Sequence, residues 1–395
     1  MTKKILYVVE TPNTFGGASG LEAVPVALLN HREGDTNLWC YGMRPNFYQM
    51  YPVQTPDRIK FFQSYGWGQY KFSPAFYHTL VCQNQSGANL LHQHGFWGMA
   101  LHSTTRWHRV HGRPLLLSLH GAFSPWALKK NSIKKMLARK IFYNRASNEI
   151  DVIHASSAQD IEFTREFGYK KPIAVMPNGV SADWLDSLGD AKRFRKVFEI
   201  PEDKRILLYC SRLDRGKGLD MLLPAWKHLE KIFPDWFCVI AGTGVDSYKK
   251  ELQMTIESLK ISQTVKMIGN IVMQDKRDAI EAADAFVLPS YSEGFALAVL
   301  EALGGGCPCV MTKTCRIPFV EKSGCGWCPD PNIDSLIASL EEAMSKDKET
   351  LKRMGQVGKE IVESQFTWKR IVGLFDELYD WMLGEKEKPE FVHEL

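Results

Sequence analysis

Short apolar runs, each followed by a turn-rich loop and an amphipathic stretch, recur along the chain and predict strand, loop and helix in repeated order. KILYVVE, rich in β-branched residues, leads through TPNTFGGASG into LEAVPVALLNH. NLLHQHG with a helix near 97 to 109, PLLLSLHG with a longer helical region, DVIHASS with QDIEFTREFG, and PIAVMPNGV continue the alternation. Each reads as a βα unit of a parallel sheet. At PNGVSADWLDSLGD the composition shifts to turn residues, and a second series opens with RILLYCSRLDRGKG and runs through WFCVIAGTG, VKMIGN, AFVLPSYSEG and CPCVMT. From about 334 to 383 the pattern is helical, and the charged tail GEKEKPEFVHEL reads as frayed or disordered. The expected fold class is therefore α/β, with two doubly wound, Rossmann-like domains over residues 1–183 and 184–365, a last helix over 366–383 and a tail over 384–395. Such domains hold ligands at the carboxyl ends of their strands, so two facing domains predict a functional interdomain cleft.

Length agrees with two domains, since 395 residues at 45 % apolar content exceed one ordinary core. No uncharged apolar run approaches the ~18 residues of a membrane span, and the amino terminus turns polar too early for a signal peptide, which predicts a cytosolic chain. Nine cysteines fit reduced thiols there. Cys307, Cys309, Cys315, Cys325 and Cys328 crowd together, but the two-residue step from Cys307 to Cys309 and the apolar run around them favour packing over zinc. No metal is expected. Charge divides unevenly: residues 1–180 hold 20 Lys and Arg against 10 Asp and Glu, the remainder 29 against 35. A basic front half suggests an anionic small substrate or membrane surface, and no nucleic-acid-binding signature accompanies it.

Candidate chemistry concentrates in SYSEGFALAVLEALGGGCPCV, where Glu293 and Glu301 lie eight residues apart in an otherwise apolar stretch. AFVLPS predicts a strand, SYSEGF its carboxyl-terminal loop and ALAVLEALGG a helix, so Glu293 precedes the helix and Glu301 falls in its second turn. Eight residues of helix rise about 12 Å, which approximates the span from sugar ring to ribose in a nucleoside diphosphate sugar. Free N–H groups near Phe295, Ala296 and Leu297, together with the helix dipole, suit the phosphates between. The ordinary alternative is one solvated loop residue and one exposed helix residue.

This segment resembles the signature of retaining glycosyltransferases of family 4, and SRLDRGKGLD resembles the same family's phosphate loop in the second domain. Gly16 and Gly17, the HG at His120, PNGV with Asn178 at the junction, Arg212, Lys217 and the glutamate motif occur in family order over most of residues 3–370. The resemblance implies the GT-B fold with its last helix returning to the first domain. It implies that Glu301 binds ribose, that Glu293 with Gly294 and Phe295 binds the transferred sugar, and that Arg212 and Lys217 grip the diphosphate. No Asp-x-Asp motif occurs, in keeping with metal-independent chemistry and no cofactor beyond a UDP-, GDP- or ADP-sugar donor. SLHGAFSPWALK resembles the family segment in which a histidine, here His120, contacts sugar and phosphate; His94 ends another strand and is a second candidate. Ser124 stands where related members carry an aspartate before Pro-Trp.

The expected activity is retaining transfer of a hexosyl unit to a saccharide or lipid-linked acceptor in surface or extracellular polysaccharide assembly. Glu293 is taken as a hydroxyl-binding group, which favours a same-face route in which the departing phosphate accepts the acceptor's proton. A nucleotide-sugar epimerase, a sucrose-type or glucoside synthase and a glycan-binding scaffold are the rivals; an oxidoreductase lacks GxGxxG after the first strand. Residues 126–145, WALKKNSIKKMLARKIFYNR, carry seven cations and no acid, which reads either as a domain helix with its lysines in water or as a surface for reversible docking to an anionic membrane.

Overall fold

Strands form where apolar runs can be buried on both faces. In the computed structural model, which describes residues 3–11, 20–66, 71–129, 143–186 and 189–394, these are β1 (Ile5–Glu10), β2 (Thr36–Tyr41), β3 (Ile59–Phe62), β4 (Leu90–His94), β5 (Leu115–Ser118), β6 (Val152–Ala155) and β7 (Ile173–Val175) in the first half. They pair in parallel in the order β7-β6-β5-β4-β1-β2-β3. Helices such as Gly20–His31 and Ala100–His111 cover the faces, so β1 and β5 read as nearly continuous apolar runs. β3 is the edge, with Lys60 exposed and its ammonium 5.4 Å from the Trp39 ring centroid.

The second series gives β8 (Arg205–Cys210), β9 (Trp236–Ala241), β10 (Val265–Gly269), β11 (Ala285–Leu288), β12 (Cys309–Met311) and β13 (Gly326–Trp327), again parallel, in the order β10-β9-β8-β11-β12-β13. Both sheets follow the doubly wound order, which reverses between β1 and β4 in one and between β8 and β11 in the other. Cys307, Cys309, Cys315 and Cys325 are buried in the second core, where burial raises their thiol pKa values. Cys307 and Cys309 sulfurs lie against main-chain oxygens, as small packing groups do.

The chain divides into two units, Met1–Asn178 with Trp368–Leu395, and Gly179–Thr367. The first boundary precedes the expected 183/184 because Leu185 joins the core of the second unit and Trp184 Nε1 donates to the Glu301 main-chain oxygen at 2.9 Å. Helix Trp368–Met382 packs on the first unit: Tyr379 and His92 Nδ1 are 2.8 Å apart, Arg32 Nε donates to Asp376 at 2.7 Å, and Lys3 pairs with Asp380. The tail is ordered rather than frayed. A further strand, β14 (Val392–His393), lies antiparallel to β7, which would otherwise be a bare edge, and Val392 is buried. Among the described residues no helix is long and apolar enough to cross a membrane. Gly16, Gly17 and most of the basic segment 126–145 lie outside the described residues.

Candidate functional site

The reversal point of the second sheet is where loops after β8 and β11 meet, and the sequence fits them closely. Asp214 caps the short turn Arg215–Lys217 by accepting from Gly216 N at 3.0 Å. Tyr291 N donates to Gly216 O at 2.9 Å, tying the two loops together. Gly218 follows with φ +73°, and a Cβ there would collide with the Pro289 carbonyl oxygen. Only glycine satisfies both demands.

This junction carries Lys217 into contact with Glu293. The ammonium pairs with Glu293 Oε1, and Ser290 Oγ donates to the same oxygen at 2.7 Å. Both ionic side chains are 13 % exposed, which leaves them within reach of a ligand but poorly hydrated. Arg212, on the same loop, is exposed. Gly294 and Phe295 follow Glu293, with the Phe295 ring stacked 6.1 Å from Phe366.

Two expectations need correction. Helix Leu297–Gly304 begins four residues after Glu293, so the path between the glutamates is half loop and the 12 Å helical rise does not describe it. Ala296 N donates to Cys315 O at 3.3 Å and is not a free donor. Helix geometry still leaves the first-turn N–H groups from Leu297 onward without intrahelical partners. Glu301 stands in that helix with its side chain paired to Lys276. Sequence reasoning passed over Lys276 because it belongs to the charged stretch QDKRD, which reads as a solvated helix face.

In the first unit, the carboxyl ends of β4 and β5 bring His94 and His120 together, with His94 Nδ1 and His120 Nε2 3.1 Å apart. His120 has φ +51°, a conformation rare for a non-glycine residue and typical of functional turns. Burial, then the neighbouring His154, pushes the His120 pKa down to about 3; burial likewise holds His94 well below the ordinary range. Both rings are neutral at pH 7. His94 Nε2 is buried with no hydrogen-bond partner. A bare lone pair is tolerated there better than a bare N–H, so His94 donates from Nδ1 and His120 accepts at Nε2, which leaves the His120 proton on Nδ1.

His92 is structural: Nε2 bonds Ser118 Oγ at 2.6 Å, Ser118 Oγ bonds His154 Nδ1 at 2.7 Å, and His154 Nε2 bonds Met176 O at 2.9 Å. Asn178 is buried at the last position of this part of the unit. Ser124 caps the helix Pro125–Lys129, accepting from Ala127 N at 3.2 Å. Glu10 ends β1 against Gly98, and burial pushes its carboxyl pKa up to about 8.

Comparison with known proteins follows these divisions. Residues 190–361 match the family described as Glycosyl transferases group 1, and residues 29–184 match Glycosyltransferase Family 4. The D-inositol 3-phosphate glycosyltransferase of Corynebacterium jeikeium is 26 % identical over 279 residues, covering 66 % of each chain. The O-antigen biosynthesis glycosyltransferase WclY of Escherichia coli is 26 % identical over 212 residues, 53 % of this chain and 56 % of that one. The chain thus spans about two thirds or less of the length of these relatives. Among solved structures, Anabaena HepE in complex with UDP and glucose superposes with a TM-score of 0.78 at 17 % identity, over 96 % of this chain and 99 % of that one.

Proposed function

Because the chain belongs to the glycosyltransferases of the group 1 and family 4 type and has their GT-B fold, we propose that it moves a hexosyl unit from a nucleoside diphosphate sugar to a saccharide or lipid-linked acceptor, with retention. The contact of Lys217 with Glu293 at the reversal point of the second sheet carries this reading. As the glycosidic bond breaks, negative charge accumulates on the departing phosphate, and Lys217 with Arg212 supplies cations against it. Glu293, held by Lys217 and Ser290, is oriented as an acceptor for a sugar hydroxyl. Glu301 accepts the ribose hydroxyls. The departing phosphate takes the acceptor's proton on the same face. In the first unit His120 donates its N–H to a substrate oxygen.

UDP is the first donor to test, since the HepE structure holds UDP and glucose; the relatives named for O-antigen and inositol phosphate chemistry favour a surface glycan or lipid-linked acceptor. Binding and hydrolysis of UDP-, GDP- and ADP-sugars should single out one donor. Lys217→Ala should then lower kcat by about 10²–10³. Glu293→Gln should lower kcat with little change in KM, and Glu301→Ala should weaken nucleotide binding instead. Turnover should persist in EDTA. Equal and negligible effects of all three substitutions, or loss in EDTA restored by Mg²⁺ or Mn²⁺, would refute the assignment.

A further inference from the structure

Glu301 is held at two points by residues that no motif contains. Its Oε2 receives the Lys276 ammonium, and its main-chain oxygen receives Trp184 Nε1 at 2.9 Å. Lys276 comes from helix Gln274–Ala282, in the βα unit before the one that carries Glu301, so only the fold brings the pair together. Its Nζ also lies 5.5 Å from the Trp184 ring centroid, which places the cation between a carboxylate and an aromatic face. The side chains of Lys276 and Glu301 are 21 % and 27 % exposed, so the pair is reachable by a ligand without being freely hydrated. Burial works against the Lys276 charge, but Glu301 more than offsets it and holds the pKa above the ordinary lysine value.

A carboxylate offers two oxygens and about four lone-pair sites. The ammonium occupies one site on Oε2 and fixes the carboxylate plane; Oε1 keeps its acceptor capacity for a pair of hydroxyls. Glu293 is treated in the same manner, since Lys217 and Ser290 converge on its Oε1. Each motif carboxylate thus has a lysine delivered by a different βα unit, and only the Lys217 arrangement is foreshadowed by a loop motif.

The geometry points to Lys276 as a positioning residue for donor binding, which holds Glu301 in the orientation that accepts the ribose hydroxyls of a nucleoside diphosphate. This rests on the reading of Glu301 as the ribose acceptor. Lys276 acts through Glu301, its ammonium lying between Oε2 and the Trp184 face.

The test is calorimetric binding of UDP, GDP and ADP, and displacement by uridine, guanosine and adenosine, to the full chain as wild type, Lys276→Met, Lys276→Arg, Glu301→Ala and the Lys276→Met/Glu301→Ala double variant. For the nucleotide that wild type binds, Lys276→Met should weaken the diphosphate and its nucleoside by the same factor, about tenfold. Lys276→Arg should restore most of that affinity. In the Glu301→Ala background the Lys276→Met effect should shrink below about twofold. Unchanged affinity in Lys276→Met overturns the proposal. So does a loss undiminished without Glu301, or a loss confined to the diphosphate, since either places the lysine on the ligand itself. If Lys276→Met does not fold, Lys276→Gln carries the same comparison. Wild type binding no nucleotide is a separate result, and it sinks the donor-site reading before Lys276 is reached.

Discussion

His92, His94 and His154 are buried in the first unit with His120 half-buried beside them, and desolvation lowers the pKa of each, to about 3 for His120 and about 4 for His154. An unfolded imidazole titrates near ~6.5. Between that value and the lower folded values, the unfolded chain takes up protons that the folded chain refuses. Stability is therefore complete above about pH 6.5 and is lost as pH falls, by up to about 1.4 kcal/mol per histidine per pH unit. Urea unfolding at pH 7 and pH 5 should show the first unit weakening at the lower pH, and these four ring resonances should not titrate between pH 5 and 8. A His120 resonance moving with a midpoint near ~6.5 would contradict the neutral ring. At this scale motif order marks the glutamates, Lys217 and His120 as candidates. It does not mark the contacts of Lys276 and Trp184 with Glu301, because those partners lie far apart along the chain.

Among elements, the strand-loop-helix rhythm disclosed β1 and the strands from β4 to β12, and runs such as β5, β8 and β9 are buried at every residue. β3 escaped because an edge strand alternates, exposing Lys60 between partly buried Ile59 and Phe61. β14 escaped because its pairing is set by the bare edge of β7 and not by a pattern of its own in a charged tail. Loops depend on closeness that periodicity does not report. Gly218 is the sharpest case: alanine there meets both a left-handed φ and the Pro289 carbonyl. Gly218→Ala should cost the second unit about 2–4 kcal/mol, the left-handed backbone alone accounting for ~1–2, and should lower turnover by moving Lys217. Thermal unfolding together with kcat checks this; a variant with wild-type Tm and kcat would show that the two loops are not fitted as described.

Taken whole, the chain leaves its first unit at Asn178 and returns to it at Trp368. Removing the return exposes a finished-looking domain to several losses at once. His92 Nδ1 would lose the Tyr379 hydroxyl, at about 1–3 kcal/mol for a buried unsatisfied group, and the sheet would lose the buried Ile371, Phe375 and Leu378, each worth about 1.5–3 kcal/mol. Against a total stability of ~5–15 kcal/mol for a domain, truncation after residue 367 should unfold the first unit and spare the second. Hydrogen exchange resolved by peptide should show protection lost within 3–178 and kept within 179–367; protection retained in both would contradict this account. The return also sets an order of events on the ribosome. Domains emerging from synthesis ordinarily fold front end first, yet here the front half waits for Trp368–Met382 to appear, while the middle of the chain, contiguous in sequence, can close its own core beforehand. The earlier-made half is then the later of the two to become native, its sheet incomplete until the returning helix arrives.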